Sequence, residues 1–97
     1  MTLTEVRASV TTAPVGSTII VDINVNDAAS PEVISSILST KLTIDAAERT
    51  STTAATPAVI STSALTDDQE VTIDIDQIGS GTAGAGLKVV FIGTRTI

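Results

Sequence analysis

The chain contains no cysteine and no histidine among its 97 residues. Disulfide bonds, thiolate metal sites and cysteine nucleophiles are therefore excluded, and so is a Ser-His-Asp arrangement within the chain. The two side chains that most often transfer protons or attack substrates near neutral pH are missing. We therefore expect a protein that is not an enzyme and that needs neither a cofactor nor a metal.

Aromatic side chains are almost absent, because there is no tryptophan or tyrosine and Phe91 is the single phenylalanine. A sugar site would lack stacking platforms, and the core has to be aliphatic. A chain this short buries only about 60 to 65% of its unfolded surface, and each aliphatic side chain contributes roughly 1.5 to 3 kcal/mol. The sequence thus predicts a marginal monomer that gains stability by association with its own copies or with a larger scaffold.

Basic residues are scarce: 5 Lys and Arg face 11 Asp and Glu, for a net charge of −6. This charge repels nucleic acid and anionic membranes. No stretch approaches the roughly 18 apolar residues of a membrane span, and the first ten residues lack the layout of a signal peptide. We expect one soluble domain over residues 1–97, made in a cytoplasm.

What the chain does have is β-branched residues, since Thr, Val and Ile supply 39 of the 97 positions. Such side chains favour strands. Apolar and polar residues alternate with a period of two in most of the apolar segments, which is typical of half-buried strands. The predicted strands cover residues 6–10, 19–26, 38–44, 58–61, 71–76 and 87–92. We therefore predict an all-β fold, an antiparallel β-sandwich with Greek-key or jelly-roll connections.

The pattern of three segments allows more than one interpretation. Residues 30–38 also fit a capped helical turn, as an alternative to extended chain. Residues 46–57 are small and polar and predict a long connection, a weak edge strand or an arm that lies on a neighbour. Residues 87–92 are apolar on nearly both faces, which predicts a central strand or a subunit contact.

Two patterns carry candidate chemistry. Asp74 and Asp76 share one face of a strand, where they form either an acid/base pair or a calcium site, or simply a solvated face. Asp67 and Asp68 are placed in a turn, where aspartate commonly bonds the backbone. Residues 79–84 read GSGTAG and match a phosphate-binding glycine pattern, but a β-branched strand follows where a helix is needed. We interpret the aspartates as a solvated surface and residues 79–86 as a flexible loop.

Several phrases resemble a small β-sandwich module found in virion proteins of tailed bacteriophages, both head-decoration and tail-fibre proteins. These phrases are TAPVGS (12–17), IVDIN (20–24), LTIDAAERTS (42–51), TAATPA (53–58), IDIDQIGS (73–80) and AGAGLKV (83–89). The chain departs from the module at Asp27 and Ala47, where the module commonly has glycine.

The resemblance implies a virion structural protein, made in the host cytoplasm, that assembles as a homotrimer. Because the module here forms the whole sequence, we expect a capsid decoration or cement protein that contacts the major capsid protein. Val90, Phe91 and Ile92 are the predicted protein-contact residues, with Phe91 as the anchor. The alternative is a tail-fibre or head-fibre domain that binds a glycan or receptor through residues 46–57 and 79–86 at one end of the sandwich.

Overall fold

The computed structural model describes residues 2–27, 33–65 and 69–94, and nearly all of its regular structure is β-strand. In chain order the elements are β1 (Thr2–Ser9), β2 (Ile19–Asp27), β3 (Val33–Ser36), β4 (Leu38–Thr40), β5 (Leu42–Ile44), a single 3-10 turn (Ser51–Thr53), β6 (Val59–Ile60), β7 (Glu70–Gln77) and β8 (Lys88–Thr94). All the strand pairs are antiparallel. The predicted all-β antiparallel class is confirmed, while the β-sandwich with Greek-key or jelly-roll connections stays a prediction.

β2 is the central strand of the larger sheet. β7 pairs with it along residues 20–26, whereas β3 pairs with residues 24–27 and β5 with residues 19–21. Because a strand has only two edges, β3 and β5 share one edge of β2 and β7 occupies the other. β1 and β8 form a second sheet, and β4 and β6 a small third one.

The core is aliphatic, as the composition predicts. Alternate residues of β1 and β2 point into it, and residues of β4, β5 and the Ile37 corner complete it. The buried set is Leu3, Val6, Ala8, Val10, Ile19, Val21, Ile23, Val25, Ile37, Leu38, Leu42 and Ile44. The core therefore lies between β1 and the half of the large sheet that contains β2 and β5.

The predicted third strand, residues 38–44, is two strands in different sheets. Its burial alternates as expected, but β4 pairs with β6 and β5 pairs with β2. At the corner before β4, the Ile37 N–H donates to the Ile23 carbonyl at 2.9 Å and the Ile37 carbonyl accepts from Ser61 N–H at 2.8 Å. Ile37 thus ties the large sheet to the β6 end of the small one.

The helical alternative for residues 30–38 is wrong where the structure describes it, because Val33–Ser36 form β3. Residues 30–32, and the predicted turn aspartates Asp67 and Asp68, lie outside the described residues. Residues 46–57 form a connection with local order: Thr50 bridges Ser9, and the Thr50 hydroxyl accepts from Thr52 N–H at the start of the 3-10 turn.

Candidate assembly surface

The apolar side of β7 lies beyond the core. Ile73 is directly opposite Ile23, and Val71 and Ile75 are opposite Val25 and Val21. Opposed residues of paired strands point to the same face of a sheet, so these β7 side chains share the inner face of β2. The exposed fractions of Val71, Ile73 and Ile75 are nevertheless 40%, 44% and 53%, because no other described element covers these side chains. The predicted strand is therefore present, but its apolar face is exposed in the single chain.

No described strand pairs with the edge of β7 that points away from β2. The Ile23 carbonyl bonds Ile37, so the backbone groups of Ile23 point away from β7. In antiparallel pairs the opposed residues point either both toward or both away from each other. The N–H and C=O groups of Ile73, and by alternation those of Val71 and Ile75, therefore point outward, and no described strand pairs with them.

β8 is an edge strand as well, since it pairs only with β1 in the part of the chain that the structure describes. Of the two alternatives predicted for residues 87–92, the central strand is wrong, because β8 has one neighbour among the described strands and Val90 and Ile92 are 50% and 37% exposed. The subunit contact stays a prediction. Phe91 lies on the opposite face from them. It is half-buried opposite Val6 and packs against the core.

The free edge of β8 carries the backbone groups of its inward-facing residues. Ala8 N–H donates to Ser51 Oγ at 2.9 Å and Val10 N–H to the Arg49 carbonyl at 2.9 Å, so both point away from β8. Val89 is opposite Ala8. The backbone N–H and C=O groups of Val89 and, two residues on, Phe91 therefore point outward from the sheet.

The three predicted contact residues do not form one patch. Val90 and Ile92 lie on the outer face of β8 opposite Arg7 and Glu5, which form an ion pair with each other. Phe91 instead presents its ring to the core and its backbone to the free edge. The sequence of residues 87–92 does not distinguish the face that packs on the core from the face that is exposed, because both faces are apolar.

The acidic face of β7 is a solvated surface, as interpreted from the sequence. Asp74 accepts a hydrogen bond from Asn24, and Asp76 accepts one from Lys41 Nζ at 2.6 Å. The hydrogen bond and the charge of Asp76 raise the pKa of Lys41 above its ordinary value. The two aspartates thus have separate partners, and no cluster of three or more potential metal ligands occurs among the described residues.

Three loops meet at one end of the molecule, around residues 12–16. Val15 bridges Thr82, Thr12 bridges Ala85, and the Pro14 carbonyl accepts from Ala47 N–H at 2.8 Å. The glycine segment 79–86 is therefore held by backbone bonds, which corrects its interpretation as a flexible loop, and it leads into β8 as predicted. The fibre alternative expected residues 46–57 and 79–86 to share one end. The turn at residues 45–48 and the glycine segment both bond residues 12–16, whereas Thr50 and Ser51 bond β1.

A surface groove of about 640 Å³ lies between β1 and residues 51–63. Its charged lining residues are Glu5 and Arg7, which neutralise each other as an ion pair. Thr52, Pro57 and Val59 supply much of the opposite wall. The groove therefore presents small polar and aliphatic groups.

The geometry defines an all-β chain whose exposed aliphatic residues concentrate on two edge strands. No protein-family model, curated protein or solved structure matches the chain. Among the described residues there is no helix long and apolar enough to cross a membrane.

Proposed function

We propose that this chain is a structural protein of a bacteriophage virion that acts by protein-protein contact, most specifically a capsid decoration protein. The observation that carries the proposal is the distribution of exposed large aliphatic residues. Of the nine found among the described residues, six lie on β7 and β8 or directly after β7: Val71, Ile73, Ile75, Ile78, Val90 and Ile92. Aliphatic patches on edge strands are typical of surfaces that other polypeptides cover.

The phrases that resemble phage virion modules supply the second support, because they run in order through most of the sequence. The outer face with Val90 and Ile92 is the surface that we assign to the capsid, and the inner face of β7 stays available for other contacts.

Purified phage particles test this proposal. We expect mass spectrometry to find the chain in the particles and electron cryomicroscopy to place it on the capsid. Particles made without it should release DNA at a lower temperature, and adding the purified chain should restore the higher one. Density confined to the tail, or particles whose heat resistance is unchanged without the chain, would overturn the proposal.

Two variants sharpen the assignment of the capsid-facing surface. Adding a chain with both Val90→Asp and Ile92→Asp should no longer restore the heat resistance of the particles, because the two substitutions place charges in the proposed contact. Thr72→Asp is the matched control on the outer face of the other sheet and should restore heat resistance like the unaltered chain. Phe91→Ala is less informative, since its half-buried ring also contributes to the core.

A second candidate function is attachment of a fibre to a host-surface glycan or receptor. The meeting of residues 12–16, 45–48 and 79–86 at one end favours it, because clustered loops on a rigid scaffold commonly carry recognition. These loops consist mainly of small side chains and contain no aromatic residue. Specific binding of the purified chain to host cells, lost on removal of a surface glycan, would select this candidate.

A further inference from the structure

We propose that copies of this chain assemble head to tail, with the free edge of β7 in one copy paired to the free edge of β8 in the next. The inference rests on the proposed assembly role and names a partner for it: a second copy of the same chain. Each copy then uses two different surfaces, so the contact is heterologous and every copy can engage two neighbours.

The backbone geometry of the two edges is complementary. The outward N–H and C=O groups belong to Val71, Ile73 and Ile75 on β7, and to Val89 and Phe91 on β8. On both strands these residues also carry the inward-facing side chains. Pairing the two edges therefore satisfies the free main-chain groups and places apolar side chains beside apolar side chains on one continuous inner face.

Charge selects this pairing over a contact between two β7 edges. The outer face of β7 carries the carboxylates of Glu70, Asp74 and Asp76, whereas the outer face of β8 carries Lys88, Val90 and Ile92. Two β7 strands side by side would place six carboxylates in one ladder, which is destabilising. A β8 neighbour brings an ammonium group and aliphatic side chains instead.

A contact between two β8 edges is disfavoured for a different reason. It would leave the apolar row of β7 in water, and that row is the larger exposed surface. Only the β7-to-β8 contact covers both edges in every copy.

The surface area of the chain fits a missing partner. The accessible surface is 5803 Å², whereas a compact monomer of 9.8 kDa exposes about 5,200 Å². The radius of gyration is 14.2 Å, compared with about 12.5 Å for a compact chain of this length. The chain therefore exposes roughly 600 Å² more surface than a compact chain of its mass, which agrees with strand edges that the single chain leaves uncovered.

Light scattering coupled to gel filtration tests the assembly. At tens of micromolar we expect a defined multiple of 9.8 kDa, which a closed ring requires. Ile73→Lys should shift the mass to that of one chain, because it points a charge into the contact. Thr72→Lys, its neighbour on the outer face, should keep the assembled mass. A monomer at 100 micromolar, or an Ile73→Lys protein with the unaltered mass, would overturn the inference.

Cysteine cross-linking tests which edges meet and remains decisive if Ile73→Lys fails to fold. The chain has no cysteine, so Ile73→Cys and Val89→Cys proteins carry single thiols. Mixed under mild oxidation, they should form the mixed disulfide in preference to either homodimer. Preferential Ile73→Cys homodimers would instead show contact between two β7 edges and contradict the proposal.

The same proteins separate this inference from the proposed virion role. A chain that remains monomeric yet restores the heat resistance of particles overturns self-assembly and leaves the capsid role standing. A chain that forms the β7-to-β8 assembly but never joins particles supports self-assembly and overturns the capsid role.

Discussion

Ile73 lies directly opposite Ile23 in the register of β7 and β2, yet Ile23 is fully buried and Ile73 is 44% exposed. The two isoleucines share a sheet face and differ only in what covers them. Ile23 belongs to the buried core cluster, whereas Ile73 is neither in that cluster nor among the partly buried residues that pack against it. This pair marks the boundary between the part of the inner face that the chain buries by itself and the part left for a partner.

The first prediction compares this pair in stability. Ile23→Ala should lower the free energy of unfolding by about 2 to 5 kcal/mol, because it removes methylene groups from a closed core and leaves a cavity. Ile73→Ala should cost the monomer less than about 1 kcal/mol, since little surrounds its side chain. Urea unfolding at low micromolar concentration measures both. Equal losses would show that Ile73 is covered within the single chain.

The second prediction concerns Ala47, whose φ is 67°, in the left-handed region that favours glycine. Glu48 N–H donates to the Asp45 carbonyl at 3.0 Å and closes a turn around Ala46 and Ala47. Ala47→Gly should raise the free energy of unfolding by up to about 1 kcal/mol, because it relieves the Cβ clash. Ala46→Gly is the matched control in the same turn and should instead lower stability by a few tenths to about 1 kcal/mol. If both glycine substitutions lowered the free energy of unfolding, this account of the turn would be contradicted.

The third prediction concerns pH and the ion pair of Lys41 with Asp76. The folded state raises the pKa of Lys41, so the stability that this pair contributes is present below about pH 10.5 and is lost as pH rises through the folded pKa. The urea midpoint should therefore fall between about pH 10 and 12 by more in the unaltered chain than in Asp76→Asn. Identical alkaline losses in both proteins would show that the pair does not contribute.

The fourth prediction uses two glycines of the loop before β8. A Cβ on Gly79 would lie 1.9 Å from the Thr82 carbonyl oxygen, whereas a Cβ on Gly81 would be no closer than 3.4 Å to any neighbour. Gly79→Ala should therefore cost roughly 1 to 3 kcal/mol through backbone displacement. Gly81→Ala should change the free energy of unfolding by no more than about 1 kcal/mol. Thermal unfolding of the two variants checks this, and a tolerated Gly79→Ala would contradict the close packing of this loop.

Much of the fold follows from the sequence because burial alternates with a period of two. The positions of β2 and β7, the second half of β1 and the inward set of residues 38–44 were predictable on that ground, whereas residues 2–5 of β1 were not predicted as strand. The break at Lys41 was not, because both halves keep the same alternation while their hydrogen-bonding partners change.

The candidate surface was only partly predictable, for a related reason. Alternating isoleucines in β7 have the pattern of a strand that the chain covers by itself, and only the position of β7 at a sheet edge shows that they are exposed. Val90 and Ile92 were predicted as contact residues and do lie at the surface. Whether they contact another protein stays a prediction.

Amide hydrogen exchange followed by nuclear magnetic resonance at two protein concentrations tests the central claim most directly. The amides of Val71, Ile73, Ile75, Val89 and Phe91 point to free edges, so in dilute solution they should exchange faster than those of Thr72 and Asp74, which face β2. At concentrations where the chain assembles, the same five amides should become protected. If they exchange rapidly in the assembled protein, the two edges are not the contact and the account is wrong.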